Sequence, residues 1–259
     1  MNHSPSTPNH RNRLLAALPA ADFALLAPHL HDVPLEQDAV LVRCGDRFKQ
    51  VYFPQSGTVS LMVDTPNGET VATAVIGREG AIGGLTVLGM SQSFVTAIVQ
   101  VPGIASQISP SRFHAAVNQS GRIRRALETH NKVMFAQILQ VAACNALHSV
   151  QARMARWLLH IRDRIDSNDI PLTQEAVSQL LGVQRTTVTL VVNKLRASGA
   201  VRYDRRGQIE IVDRSRLEEA ACECYDAMRR QVEQIMQPSV KPHIHSAPPR
   251  PIDRRPLTG

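Results

Sequence analysis

The sequence predicts an α+β protein in three successive parts: an antiparallel β-roll, a long helix, and a helical unit closed by a β-hairpin. Two changes of pattern and one shift of charge carry that reading. Between residues 33 and 108, short β-branched runs alternate with turn residues. From about residue 110 the apolar spacing becomes helical, and basic residues collect in the second half.

The first eleven residues are polar, with Ser, Pro, Asn and His, and are expected to be disordered. A short helical lead-in follows over 11–32, where Leu14, Leu15, Leu18, Phe23, Leu25, Leu26 and Leu30 sit at helix-like spacings between the breaks at Pro19 and Pro28. Strand-like runs then include Val40-Leu41-Val42, Val51-Tyr52-Phe53, Val59–Val63, Thr70–Ile76 and Ala97–Val101. Gly45-Asp46, Pro66-Asn67-Gly68 and Pro102-Gly103 punctuate them as turns. Many short strands at regular spacing indicate an antiparallel jelly roll, placed here over 12–119.

Residues 110–118 read as a short helix and 120–149 as a long one. Along the latter, Leu127, Met134, Ile138, Val141, Asn145 and His148 are separated by steps of 7, 4, 3, 4 and 3. That is a coiled-coil-like seam whose polar end can fix register. Such a seam is buried either against a second copy or against the chain's own roll. The first is the expectation, making Leu127, Met134, Ile138, Val141 and Asn145 the candidate dimerisation residues.

The next unit spans 150–236. Met154, Trp157, Leu158, Ile161 and Ile165 form one apolar helix face. In the stretch 172–183, Thr173 can cap a helix, Ala176 leaves room for a second helix, Leu180 and Leu181 are apolar, and Gly182 stops the helix before Val183. A second helix follows, with Val188, Val191, Val192 and Leu195 facing inward. Gln184, Arg185, Thr186 and Thr189 remain outside at its start. This is helix-turn-helix grammar. Two strands, Val201-Arg202-Tyr203 and Ile209–Val212, flank a basic tip at Arg205 and Arg206, which is the pattern of a wing.

The exposed set suits duplex DNA. Arg185 can donate two hydrogen bonds to a guanine edge, and Gln184 suits adenine or phosphate. Thr173, Thr186, Thr187, Thr189, Asn193 and Lys194 can bond phosphates or bases, while Arg205 and Arg206 can reach phosphate from the wing. Charge agrees. Residues 33–118 hold five basic against six acidic side chains, whereas 151–215 hold eleven against seven, within a net charge of +7. After a last amphipathic helix ending near Met236, the Pro- and Arg-rich tail 237–259 is expected to be disordered.

Several classes are not supported. No apolar run approaches a membrane span, and the polar start lacks a signal-peptide core, so a cytoplasmic protein without membrane contact is expected. No nucleophile elbow, P-loop or HExxH motif is present, so neither an enzyme nor a catalytic residue is expected. Cys44, Cys144, Cys222 and Cys224 are scattered, and Cys222-Glu-Cys224 falls on a predicted helix where residues two apart diverge. No metal ligand and no cofactor are therefore expected, and His148 is read as structural. The rival to DNA binding is a protein-interaction module built on the same fold.

At this point the chain resembles the Crp/Fnr superfamily of transcription regulators over roughly 12–225. The resemblance rests on Leu14–Pro19, Val51–Pro54, Gly77-Arg78-Glu79-Gly80, Ala155–Leu159, Asp163-Arg164 and Leu172–Glu175. It implies a cyclic-nucleotide-binding-like roll, a homodimer on two-fold symmetric double-stranded DNA, a Crp-type winged helix-turn-helix, and RNA polymerase as a further partner. It also makes Gly77, Glu79, Gly80 and Gly83 a candidate effector loop. The stretch 91–97, where the family places a phosphate-binding arginine, contains none. Tight cyclic AMP binding is accordingly not expected, and the effector stays unidentified.

Overall fold

The computed structural model describes residues 10–203 and 208–236, apart from the side chain of Leu88. Two short helices, α1 (Arg13–Ala16) and α2 (Ala20–Phe23), lead into the roll. Its strands are β1 (His31–Leu35), β2 (Val40–Val42), β3 (Val51–Pro54), β4 (Thr58–Asp64), β5 (Thr70–Ile76), β6 (Thr96–Val101) and β7 (Gly103–Ile108). They form two antiparallel sheets, in the orders β1-β7-β3 and β2-β6-β4-β5. The shared core joins Leu35, Val42, Val59, Ile76, Ala97, Val99 and Ala105, with contributions from both sheets. Bulges at Thr58/Val59 and Leu61/Met62 on β4 interrupt its pairing with β6 and β5. Such bulges add the local twist and bend that curl a sheet into a roll.

Helix α3 (Pro110–Gln119) and the long α4 (Gly121–Leu147) follow. Ser120 caps α4, accepting from the Arg122 and Ile123 amides while donating to Asp22 Oδ1 at 2.6 Å. Ile123, Leu127, His130, Val133, Gln137, Val141 and Cys144 form the buried stripe of α4. Leu127 belongs to the core beneath α1 and α3, and Val141 to the core of the C-terminal unit. Two residues of the predicted seam, Leu127 and Val141, are thus spent inside the chain. Met134, Ile138 and Asn145 are half-buried on its flank. The exposed apolar stripe runs instead through Phe135 and Leu139, 65% and 55% exposed, then Ala142 and Ala146.

His148 is extended, and Ser149 caps α5 (Val150–Ile165). Beyond it lie β8 (Asp169–Ile170), α6 (Gln174–Leu181), α7 (Arg185–Ala197), β9 (Val201–Tyr203) and β10 (Ile209–Ile211). The wing is a three-stranded sheet in the order β8-β10-β9, so β8 adds a strand to the predicted hairpin. The last helix is also two: α8 (Arg214–Ala220) and α9 (Cys224–Met236). Ala221 is extended between them, and Leu217, Tyr225 and Met228 each reach the same core. Arg214, Asp163 and the Tyr225 hydroxyl tie α5, α8 and α9 through bonds of 2.6–2.8 Å.

That core includes Met62, Ala72, Val75 and Val101 of the roll beside Met154, Leu158, Leu172, Leu180 and Leu181. The C-terminal unit therefore packs directly on the outer face of the β6-β4-β5 sheet. Among the described residues, no helix is long and apolar enough to cross a membrane.

Candidate nucleic-acid interface

The helix-turn-helix is set by local chemistry. Thr173 Oγ1 accepts from the Ala176 amide at 3.1 Å, starting α6. Gly182, at φ +62°, ends it in the left-handed region, and the Val183 amide donates back to Ser178 O at 3.1 Å. A side chain at 182 would also press on Val71 of β5, its Cβ lying 3.2 Å from Val71 Cγ2. On α7, Val188, Val191, Val192 and Leu195 are buried, which fixes the helix's rotation.

The opposite face is open. Gln184, Arg185, Thr186, Thr189, Asn193 and Lys194 are exposed along α7, Thr187 is half-buried, and Thr173 is exposed at the start of α6. Leu190, 64% exposed, joins that face. Arg205 and Arg206 at the wing tip lie outside the described residues; the flanking strands pair Tyr203 with Ile209 and Arg202 with Glu210.

Two residues that sequence reasoning passed over orient this face. Glu175 on α6 forms an ion pair with the Arg185 guanidinium, and Gln174 Oε1 accepts from Thr189 Oγ1 at 3.1 Å. Both contacts run from α6 to the outer side of α7, ten and fifteen residues on. Arg185 keeps further donors beyond the two that meet Glu175, so a carboxylate-held guanidinium remains able to address a base.

The roll carries a second feature, a cavity of about 250 Å³ between its sheets and α4. Val42, Leu61, Ile76, Ile82, Met134 and Ile138 line much of it, and His130 and Asn131 are among its few polar side chains. Its described lining contains no Lys or Arg. Of the candidate effector loop, only Gly83 borders this cavity. Glu79 turns the other way: its Oε1 accepts from Arg164 Nε of α5 at 2.7 Å and from the Gly77 amide at 3.2 Å. Arg78 pairs with Asp166 beside it. Burial pushes the Glu79 carboxyl up, but Arg164 and the backbone donors outweigh it and hold Glu79 below the usual range. Gly80 packs so closely on His130 that a Cβ there would lie 2.5 Å from the imidazole Cε1. Burial keeps His130 neutral.

The cysteines do not fall as expected. Cys222 precedes α9 and Cys224 begins it, so the C-x-C pair straddles a helix start rather than lying along one helix. Both thiols meet Cys144 and His148 at the end of α4.

Two sequence families match. The model described as a cyclic nucleotide-binding domain covers residues 32–120, and that described as a Crp-like helix-turn-helix domain covers 152–220. Among curated proteins, no sequence match is found. Solved structures share the fold. FixK2 from Bradyrhizobium japonicum has a TM-score of 0.64 and 15% identity over 74% of this chain and 98% of its own. The c-di-GMP responsive global regulator CLP of Xanthomonas campestris gives 0.62 and 16%, over 75% and 99%. A Crp/Fnr-family transcriptional regulator from Thermus thermophilus, TTHA1359, gives 0.60 and 20%, over 74% and 98%. At these identities the likeness to solved structures is one of fold. The two sequence models, in this order on the roll and on the helix-turn-helix, place the chain in the Crp/Fnr superfamily of transcription regulators.

Proposed function

We propose that the protein binds a two-fold symmetric site on double-stranded DNA as a homodimer and regulates transcription there, with RNA polymerase as its further partner. The observation that carries this reading is the outward face of α7, where Gln184, Arg185, Thr186, Thr189, Asn193 and Lys194 stand clear of the core. A recognition helix reads base edges in the major groove from its N-terminal residues. Arg185 and Gln184 occupy that end, while Lys194 and Asn193 further along suit the backbone. Arg205 and Arg206, on the chain segment joining the wing strands, add phosphate contacts.

Homodimerisation is supported by the outer stripe of α4. Phe135, Leu139, Ala142 and Ala146 follow steps of 4, 3 and 4, the spacing that seats one helix along another. Met134, Ile138 and Asn145 border that stripe and complete the interface, whereas Leu127 and Val141 support α4 from within.

The roll is the sensory part, and its apolar cavity suits an uncharged ligand better than a cyclic phosphate, which needs a cation. A ligand there acts only through unequal affinity for DNA-competent and DNA-incompetent arrangements. Footprinting on genomic fragments retained by the purified protein tests the reading. Two protected blocks about one helical turn apart (roughly 34–36 Å) are expected. Retention without localised protection would reject sequence-specific binding.

A further inference from the structure

We propose that Cys144, His148, Cys222 and Cys224 bind a single tetrahedral metal ion of the zinc class, which fastens α9 to the C-terminal end of α4. The four ligand atoms all lie within 4.8 Å of one another. Cys144 Sγ and Cys222 Sγ are 3.4 Å apart, and Cys224 Sγ is 3.6 Å from His148 Nδ1. Zinc bonds to sulfur and nitrogen imply tetrahedral edges of about 3.5–3.8 Å, so the cluster needs shifts of only about an ångström or less to close on one ion. A disulfide needs sulfurs about 2 Å apart, and all four cysteines are free thiols.

The surroundings are those of a metal site. His148 turns Nδ1 towards the sulfurs and places Nε2 3.0 Å from Glu223 Oε1, the carboxylate–histidine arrangement that fixes a ligating imidazole. Gln140 Nε2 donates to Cys224 Sγ at 3.1 Å. The three sulfur-bearing residues are 0–7% exposed. Four protein ligands leave no open position, which marks a structural rather than a catalytic ion.

Charge gives an independent argument. Arg156 is fully buried. Its guanidinium lies 4.7 Å from the Trp157 ring centroid and Nη1 is 3.9 Å from Met228 Sδ. Nε and Nη2, however, have no hydrogen-bond partner, and among the described residues no carboxylate forms an ion pair with it. A buried guanidinium with no anionic partner is expensive even where an aromatic face offsets part of the cost. Arg156 is close enough to act on Cys144, as Arg153 is on Cys144 and Cys222. Three thiolates, a neutral imidazole and a divalent ion carry one negative charge, which balances a guanidinium. Binding releases the thiol protons still held by the cysteines, so affinity falls with acid.

The ligands come from the last turn of α4 with its cap and from the α8–α9 turn. Their chain order is non-local, and Cys224 sits at a helix start that the sequence pattern does not announce. That is why no ligand motif is visible in the sequence.

The test uses the full chain, purified under reducing conditions without added metal, then loaded with zinc or cobalt(II). About one ion per chain is expected to survive desalting. The cobalt form should show thiolate-to-metal charge transfer and the intense visible bands of tetrahedral cobalt. Cys222→Ser and Cys224→Ser should lose the spectrum and the bound ion, and Cys44→Ser, which alters an exposed thiol outside the cluster, should keep both. The wild-type cobalt spectrum answers the question even where a variant folds poorly. A wild-type chain with no ion after loading, an octahedral spectrum, or a Cys144–Cys222 disulfide in the reduced preparation would overturn the proposal. So would full metal retention by both Cys→Ser variants.

Discussion

Glu79 and Arg164 meet at 2.7 Å across the boundary between the β-roll and the C-terminal unit. The same Glu79 loop runs into Gly80 and Ala81, which press on His130 at the wall of the cavity. A filled cavity and the position of α5 therefore share one short stretch of chain, residues 77–81.

That contiguity predicts measurable coupling. Glu79→Gln and Arg164→Gln should each alter DNA affinity, and the double variant should fall short of their sum by about 0.5–3 kcal/mol, the range for groups in direct contact. Strict additivity in a double-mutant cycle would show that the pair does not link the two parts.

Arg185→Ala should lose discrimination at one base pair of each half-site, worth roughly 1–3 kcal/mol per half-site. Glu175→Gln should leave Arg185 less constrained, relaxing preference at the same position. Competition assays against singly substituted sites check both. An unchanged preference in Arg185→Ala would remove it from the readout.

On α4, Phe135→Glu with Leu139→Glu should yield monomers in sedimentation without loss of the folded state. Leu127→Ala, by contrast, should cost about 2–5 kcal/mol of stability and leave the dimer in place, because its side chain lies in the chain's own core. Dimers surviving the double glutamate variant would locate the interface elsewhere.

These positions show where sequence was informative. The helix-turn-helix was legible because Thr173, Gly182 and the Val188–Leu195 spacing are local signals with one structural solution each. The stripes of α4 were less legible. Helix α4 carries two apolar stripes with similar steps of three and four, and only the docking of the roll shows which one is covered. The break at Ala221 was hidden for another reason. No Gly or Pro marks it; the tertiary positions of Leu217 and Tyr225 impose it, overriding good local helix propensity. Glu79 resembled an effector contact by motif, but Arg164 lies 85 residues later, and no local pattern reports such a pair.

Acid should weaken the fold in a defined window. Burial holds His130 and His160 neutral, and Arg164, Arg156 and Arg229 push His160 down further. Both sit below the ordinary value of 6.5 in the folded chain, so the unfolded state binds more protons at lower pH. The contribution of these two histidines is then complete above about pH 6.5 and declines below it, by up to about 1.4 kcal/mol per pH unit for each. The depressed Glu79 adds its own loss only at still lower pH, below its ordinary 4.5. Urea unfolding at several pH values should show this slope, reduced in His160→Gln. An equal slope in that variant would exclude His160 as a source.

Sequence-specific reading of duplex DNA by α7 stands or falls on selection of bound fragments from a random duplex pool at fixed, near-physiological salt. Salt is held constant because phosphate contacts alone give salt-sensitive binding without sequence preference. The expected outcome is enrichment of a two-fold symmetric motif whose half-sites lie about 10–10.5 base pairs apart, with Arg185→Ala losing one position in each half. Uniform recovery of the pool at every round, by wild type and variant alike, would refute that reading.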